Sequence, residues 1–302
     1  MVKFCKPLPV KHHFLARSII NTGQYIVTNF TPAPKLTGLA YIPRWLGGVA
    51  CYIVFGLGGL LCSLTLFPIL KFWPGSREQK IIRVRKAVHI MFKGFVGMLT
   101  AAGVINVSTE NAEQLLNAKG KIIIANHPTL VDVVVMISLI PNAGCIVKQA
   151  LWRNPFLRGV VSCAGYIPNR GADLLLSDCQ SELENGTNLI IFPEGTRTQI
   201  GETINQFARG AANITLRTQN ELIPIVLRTN AIGLSKQQPW YHIPARTIGM
   251  RVEIGHPLSY SDYASPFNVD MDMSLGAKKA RQMTRDLETY YKQQLDITHE
   301  LT

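Results

Sequence analysis

The chain has 302 residues, 47% of them apolar and only 17% charged, which excludes intrinsic disorder and falls below the quarter charged that soluble domains average. Six cysteines and 24 glycines without a period exclude a disulfide scaffold and a collagen-like chain. The net charge of +12 is confined to residues 1–93, where thirteen Lys and Arg meet a single acid, Glu78, while the remainder holds eighteen of each sign.

Residues 1–44 form a basic N-terminal segment. From Trp45 to Leu70 there follow 26 residues without a charge, flanked by Arg44 and Lys71. As a straight helix they would reach about 39 Å, more than the roughly 30 Å of bilayer hydrocarbon. The run lies too far from Met1 for a cleavable signal. Gly47, Gly48, Gly56, Gly58, Gly59 and Pro68 interrupt it, as in apolar helices that bend back. Cations on both flanks pull equally on each end. A re-entrant hairpin in one leaflet is therefore the favoured reading, and a single span the alternative.

Next, Ile81, Val84, Val88, Met91, Phe95 and Met98 recur at helical spacing, with Arg83, Lys86, His89 and Lys93 on another face. Such a helix can lie in the membrane interface with its cations on anionic head groups. The alternative is a core-packing helix with a solvated basic side. Residues 45–105 thus read as membrane-anchoring helices. The bases flank an apolar run, and no reader motif accompanies them, so nucleic acid is not an expected partner.

Over 106–302 short β-branched runs alternate with helical stretches. Expected strands are 121–126, 145–147, 165–167, 188–192, 222–227 and 250–254; expected helices include 173–184, 207–219 and a last one at about 275–295. This alternation predicts an α/β domain with a mostly parallel central sheet flanked by helices, behind an N-terminal membrane-associated helical hairpin. Cys5, Cys51, Cys62, Cys145, Cys163 and Cys179 form no C-x-x-C pair, and no histidine stands at metal-ligand spacing. No metal and no bound cofactor are expected, and the cysteines fit a reducing compartment. The nucleophile elbow, the phosphate-binding P-loop and the full dinucleotide fingerprint are absent from the sequence.

Two segments carry chemistry-bearing residues. In Ile122-Ile-Ile-Ala-Asn-His127-Pro-Thr-Leu-Val-Asp132 a strand runs into His127, and Pro128 suits the first turn of a helix. With His127 just ahead of that turn, Asp132 can fold back to the ring. There it would fix the tautomer and leave the other nitrogen as a base. Taken alone, the pair also fits a capping aspartate and a surface histidine. In Asn188-Leu-Ile-Ile-Phe192-Pro-Glu194-Gly195-Thr196-Arg197 a second strand ends in a Pro/Gly turn. Arg197 offers bidentate recognition of a phosphate, and a hydroxyl can add a bond. Alone, this too fits a turn with one exposed ion pair.

Together, His127-x-x-x-x-Asp132 and Phe192-Pro-Glu-Gly-Thr-Arg197 resemble the glycerolipid acyltransferase family, of the 1-acyl-glycerol-3-phosphate acyltransferase type. Lys148-x-x-Leu151, Asn154-Pro155-Phe156, Gly165-Tyr-Ile-Pro168-x-Arg170, Phe207-x-Arg209-Gly210-Ala211 and Ile223-Pro224-Ile225 look like its further blocks, in the family's order over roughly 75–255. The resemblance implies a membrane-bound O-acyltransferase of phospholipid biosynthesis. It would move an acyl group from a thioester, acyl-CoA or acyl-carrier protein as co-substrate, to lysophosphatidic acid. His127 would be the general base and Asp132 its orienter. Glu194, Gly195, Thr196 and Arg197 would sit in the acceptor site, with Lys148 and Arg170 adding positive potential. The lipid bilayer and a lysolipid would be partners, and the catalytic domain would face the cytoplasm (at the inner membrane in a bacterium). The chain departs from the family at Arg158, where a glycine is common, at Asn169, and at Thr198-Gln199 after the arginine. A different acceptor, such as an aryl-polyene or ornithine-type lipid, is the alternative within this chemistry. A lipid-binding protein with a dead site is the alternative of another class.

Overall fold

The computed structural model describes residues 34–152, 155–169, 171–230, 234, 238–263 and 273–296. Seven strands form one sheet in the order β1-β7-β6-β2-β5-β3-β4: β1 (Ile105–Glu110), β2 (Ile122–Ala125), β3 (Ala143–Val147), β4 (Ile167–Pro168), β5 (Asn188–Ile191), β6 (Leu222–Thr229) and β7 (Ile248–Ile254). Every pairing is parallel except β6 with β7. The expected strands are all present. The sequence reading missed β1, whose polar Ile-Asn-Val-Ser-Thr-Glu run is an edge strand with only Ile105 buried, and it gave no sign of the antiparallel turn-back of β7.

Strands β2 and β5 are buried at every position, so they read as continuous apolar runs, as parallel strands covered on both faces do. Their side chains alternate between two cores. Ile123, Ala125 and Ile190 join one core; Ile122, Ile124, Leu189 and Ile191 join the other. The first core is covered by α1 (Tyr41–Leu64), α2 (Leu66–Phe72), α3 (Arg77–Ala101) and α5 (Asp132–Leu139), with the short α4 (Glu113–Leu116) at its edge. The second is covered by α7 (Ala172–Glu184), α8 (Gly210–Thr218) and α9 (Met273–Asp296). Helix α6 (Pro155–Cys163) adds Val161 to the first core.

The N-terminal helices fold back on themselves. Gly75, with φ +139, makes the turn after Pro74, and Ser76 with Gln79 forms a reciprocal capping box that starts α3. Tyr52 meets Phe95, and Phe55 meets Phe92 and Phe95. Gly47 abuts Ala102. The partners recede along α3 as they advance along α1, so the two arms are antiparallel. The hairpin also docks on the α/β domain. A Cβ on Gly159 of α6 would come within 2.6 Å of the Ser63 Cβ, and one on Gly48 within 2.8 Å of Ile243.

The basic face of α3 is less uniform than its spacing suggests. Lys86 and Lys93 are exposed, but Arg83 donates to the Pro74 carbonyl and His89 Nδ1 lies 2.8 Å from the Ile137 carbonyl on α5. Arg85 is buried. It donates to the Ala164 and Gly165 carbonyls, Asn142, Thr187 and Glu182, tying α3 to the ends of α6 and α7. Burial pushes the Cys145 and Cys179 thiols up to about 12, so both fill space as neutral groups.

Candidate active site

From β2 the chain crosses past β5 to β3, by way of α5. From β5 it crosses past β2 to β6, by way of α8 on the opposite face. The two adjacent strands therefore send their connections apart at their carboxyl ends. That is the switch point where open α/β sheets leave a crevice. His127 follows β2 at this crevice and the Glu194–Arg197 turn follows β5.

Asn126 holds the first strand end in place. Its side chain donates to the Leu227 carbonyl and accepts from the Leu227 N–H, at 2.9 and 2.8 Å. His127 Nδ1 lies 2.8 Å from Asp132 Oδ2. Asp132 opens α5 and is fully buried, and it also accepts from the Thr129 N–H (2.7 Å) and hydroxyl. With Asp132 accepting from Thr129 at both oxygens, a ring hydrogen on Nδ1 completes the pair and leaves Nε2 as the accepting nitrogen. Phe192 packs against the ring at 4.4 Å, and 16% of the His127 side chain remains exposed.

The second segment closes around the first. Glu194 Oε1 accepts from the His127 N–H at 2.7 Å, and Oε2 from the Asn205 N–H at 2.8 Å. Thr198 Oγ1 donates to the same carboxylate, and Thr198 N–H donates to the His127 carbonyl. Burial pushes the Glu194 carboxyl above the ordinary glutamate range, against the pull of those donors. Glu194 is thus a clamp on the histidine's backbone. Its oxygens accept from the His127 and Asn205 N–H groups and the Thr198 hydroxyl.

Gly195, at φ +65, is exposed at the turn, with Thr196 beside it partly exposed. Arg197 is half-buried and donates from Nη1 to the Leu234 carbonyl at 3.1 Å. Burial lowers its pKa, and the Asp132 carboxylate works the other way. A permanent cation thus sits within electrostatic reach of the His–Asp pair. Lys148 is exposed at the end of β3, on the same edge of the sheet. Arg170 lies outside the described residues. Among the described residues no cluster of His, Cys, Asp or Glu could hold a metal ion.

The structure adds Asn205 and Leu234, which the sequence reading did not name, and gives a role to Thr198, which it named only as a departure. Asn205 donates to the Arg197 carbonyl and accepts from the Gln199 N–H, so it closes the loop that carries the arginine. Thr198 stands at one of the departures from the family pattern, and its hydroxyl serves Glu194. Leu234 is buried with φ +54, a conformation costing a non-glycine residue about 1–2 kcal/mol. Its carbonyl accepts from both Leu130 N–H and Arg197, joining the two segments. Thr198 could have been noticed as a hydroxyl after the turn. A backbone carbonyl carries no sequence signal at all.

Residues 105–228 match the model of a family described as Acyltransferase. A protein of Helicobacter pylori named 1-acyl-sn-glycerol-3-phosphate acyltransferase is 32% identical over 152 residues, 48% of this chain and 62% of that protein. One so named from Cocos nucifera is 29% identical over 222 residues, 71% of this chain and 67% of that one. The chain spans less than two thirds of the length of the first curated relatives it matches, the bacterial one at 62% and a chloroplast one from Arabidopsis thaliana at 33%. The crystal structure of the 1-acyl-sn-glycerophosphate (LPA) acyltransferase from Thermotoga maritima superposes with a TM-score of 0.60 at 19% identity, covering 82% of this chain and 96% of that one. It shares the fold.

Proposed function

We propose that the chain is an acyltransferase of the 1-acyl-glycerol-3-phosphate acyltransferase type, a reading its similarities support, and that it transfers a fatty acyl group from a thioester to the free hydroxyl of lysophosphatidic acid. The donor is acyl-CoA or acyl-carrier protein. The observation that carries this reading is the His127–Asp132 pair, with the Arg197 cation within electrostatic reach of Asp132.

The chemistry follows from those positions. His127 Nε2 takes the acceptor's hydroxyl proton as its oxygen attacks the thioester carbonyl. Asp132 stabilises the imidazolium so formed. As the tetrahedral intermediate collapses, the carbon–sulfur bond breaks and the imidazolium returns its proton to the departing thiolate. The products are the ester and a free thiol. Arg197 faces the acceptor's phosphate, and Lys148 and Arg170 add positive potential for phosphate groups of either substrate.

The same reading makes the enzyme a membrane protein. Gly38–Phe72 is long and apolar enough to cross a bilayer, and Ile42, Leu46, Ile53, Leu57, Leu61 and Leu64 line an exposed side of it. Its other side touches the domain near both ends, at Ile243 and at Gly159. A helix that touches the domain near both of its ends suits burial of its exposed face in one leaflet better than a crossing. The domain then sits on the cytoplasmic side, where the basic flanks face anionic lipid.

The test is turnover on lysophosphatidic acid by the purified protein and by His127→Ala. A positioned base contributes about 10²–10⁴-fold, so the variant should lose that much with its circular dichroism unchanged. Retention of near-full activity would contradict the reading. Activity confined to another lysolipid would keep the mechanism and move the acceptor to a specialised lipid pathway.

A further inference from the structure

Trp240 and Tyr241 stand on the turn that precedes β7, about half exposed at 49% and 53%. They pack edge to face with ring centroids 5.7 Å apart, and Trp240 meets Tyr52 of α1 in the same way at 6.1 Å. Tyr52 packs on Phe95 of α3, and its chain neighbours Ile53 and Val54 are exposed. The turn is fixed to that helix. Ile243 is buried against Gly48, its carbonyl accepts from the Tyr41 hydroxyl, and the Ala245 carbonyl accepts from Arg44 Nη1 and from the Leu36 N–H. Lys35 and Arg246, the chain neighbours of that last bonded pair, are both exposed. Residues 231–247 hold Lys236, His242 and Arg246 and no acid.

Single exposed aromatics are ordinary on protein surfaces. Here two are paired, one of them packs on the apolar helix α1 through Tyr52, and the chain segment that carries them holds cations and no acid. Trp and Tyr, each with an apolar ring and a polar tip, concentrate at membrane–water boundaries. Neighbouring cations add attraction to anionic leaflets.

We propose that the Pro239–Ile243 turn is a second bilayer contact, separate from the N-terminal hairpin. Trp240 and Tyr241 sit in the head-group layer of the leaflet that takes the exposed side of α1, with Lys35 and Arg246 on anionic lipid. The inference rests on the membrane reading above. It adds that the catalytic domain itself touches the lipid, through the same β6–β7 connection whose Leu234 carbonyl holds Arg197.

The test uses the full chain with Trp45, Trp73 and Trp152 changed to Phe, so that Trp240 is the sole indole. It is mixed with phosphatidylcholine/phosphatidylglycerol vesicles carrying brominated acyl chains. The expected result is a blue shift of Trp240 emission, with quenching stronger for bromines near the head groups than near the chain ends. Should the triple variant not fold, the wild type and Trp240→Phe are compared, and the variant should lack that quenched component. Emission unshifted and unquenched, while co-sedimentation shows the protein bound, would overturn this inference and leave the membrane reading standing. Failure of the wild-type chain to co-sediment would overturn both.

An activity readout is independent of fluorescence. Trp240→Ser/Tyr241→Ser should lose rate several-fold on vesicle-borne acceptor and keep it on a short-chain, water-soluble acceptor. Equal loss on both would make the turn structural and overturn the proposal.

Discussion

Arg197 and Glu194 stand three residues apart on one turn and do opposite things. Arg197 keeps one guanidinium nitrogen on the Leu234 carbonyl, and its guanidinium is the fork that the proposal sets on the acceptor's phosphate. Arg197→Lys replaces that fork by a point charge. We expect the apparent affinity for a phosphorylated acceptor to fall roughly tenfold, the worth of one charge-assisted hydrogen bond, with turnover at saturation much less affected. Initial rates against acceptor concentration measure this, and an unchanged affinity would remove Arg197 from the phosphate. Glu194 instead serves the fold. Its carboxyl has a folded pKa raised by burial, so the folded state binds its proton at a higher pH than the unfolded chain does. Its contribution to stability is thus complete below the ordinary glutamate value and is lost as pH rises through the raised one. In calorimetric scans, the melting temperature of the wild type relative to Glu194→Gln should rise as pH falls through that window. A difference independent of pH would contradict the burial account.

At the scale of elements, Arg85 shows what spacing leaves out. It belongs to α3 but not to the basic face of Arg83, Lys86, His89 and Lys93, and it is 2% exposed and bonds five groups from the α5–β3, α6–β4 and α7–β5 regions. Arg85→Ala leaves Glu182 without its cation, with the Thr187 hydroxyl alone on it, and several acceptors unsatisfied. The expected loss is about 3–5 kcal/mol of stability, read from denaturant unfolding, and a loss under 1 kcal/mol would show that water replaces the network. The strands were more legible. Apolar runs such as Ile122–Ala125 and Leu222–Leu227 bury both faces, and Gly120 and Pro128 stand near the ends of the first. Strand β1 was not legible, because an edge strand pairs through its backbone and needs no apolar pattern. His127 and Asp132 could be found from their spacing at a strand end. Asn205 and Leu234 could not, since their roles arise only where loops distant in sequence meet.

The whole molecule joins an apolar hairpin and an α/β sheet through one continuous core, in which Cys51, Phe67 and Phe95 pack in the same cluster as Ile123 and Met136. Anchoring of this kind depends on buried apolar area, which salt does not screen, whereas attachment through surface cations weakens as the Debye length shrinks. We therefore expect the protein to stay with the membrane fraction in 1 M salt and to leave it in detergent; release by salt alone would contradict an apolar anchor. The proposal as a whole stands or falls on the transfer itself. The direct measurement incubates purified protein with lysophosphatidic acid and a long-chain acyl thioester, CoA or carrier protein in turn, and follows phosphatidic acid and free thiol together. The account predicts the two appearing in equal amounts, with thiol release dependent on the lysolipid. Thiol release without ester, or no release with any lysolipid and either donor, would contradict it.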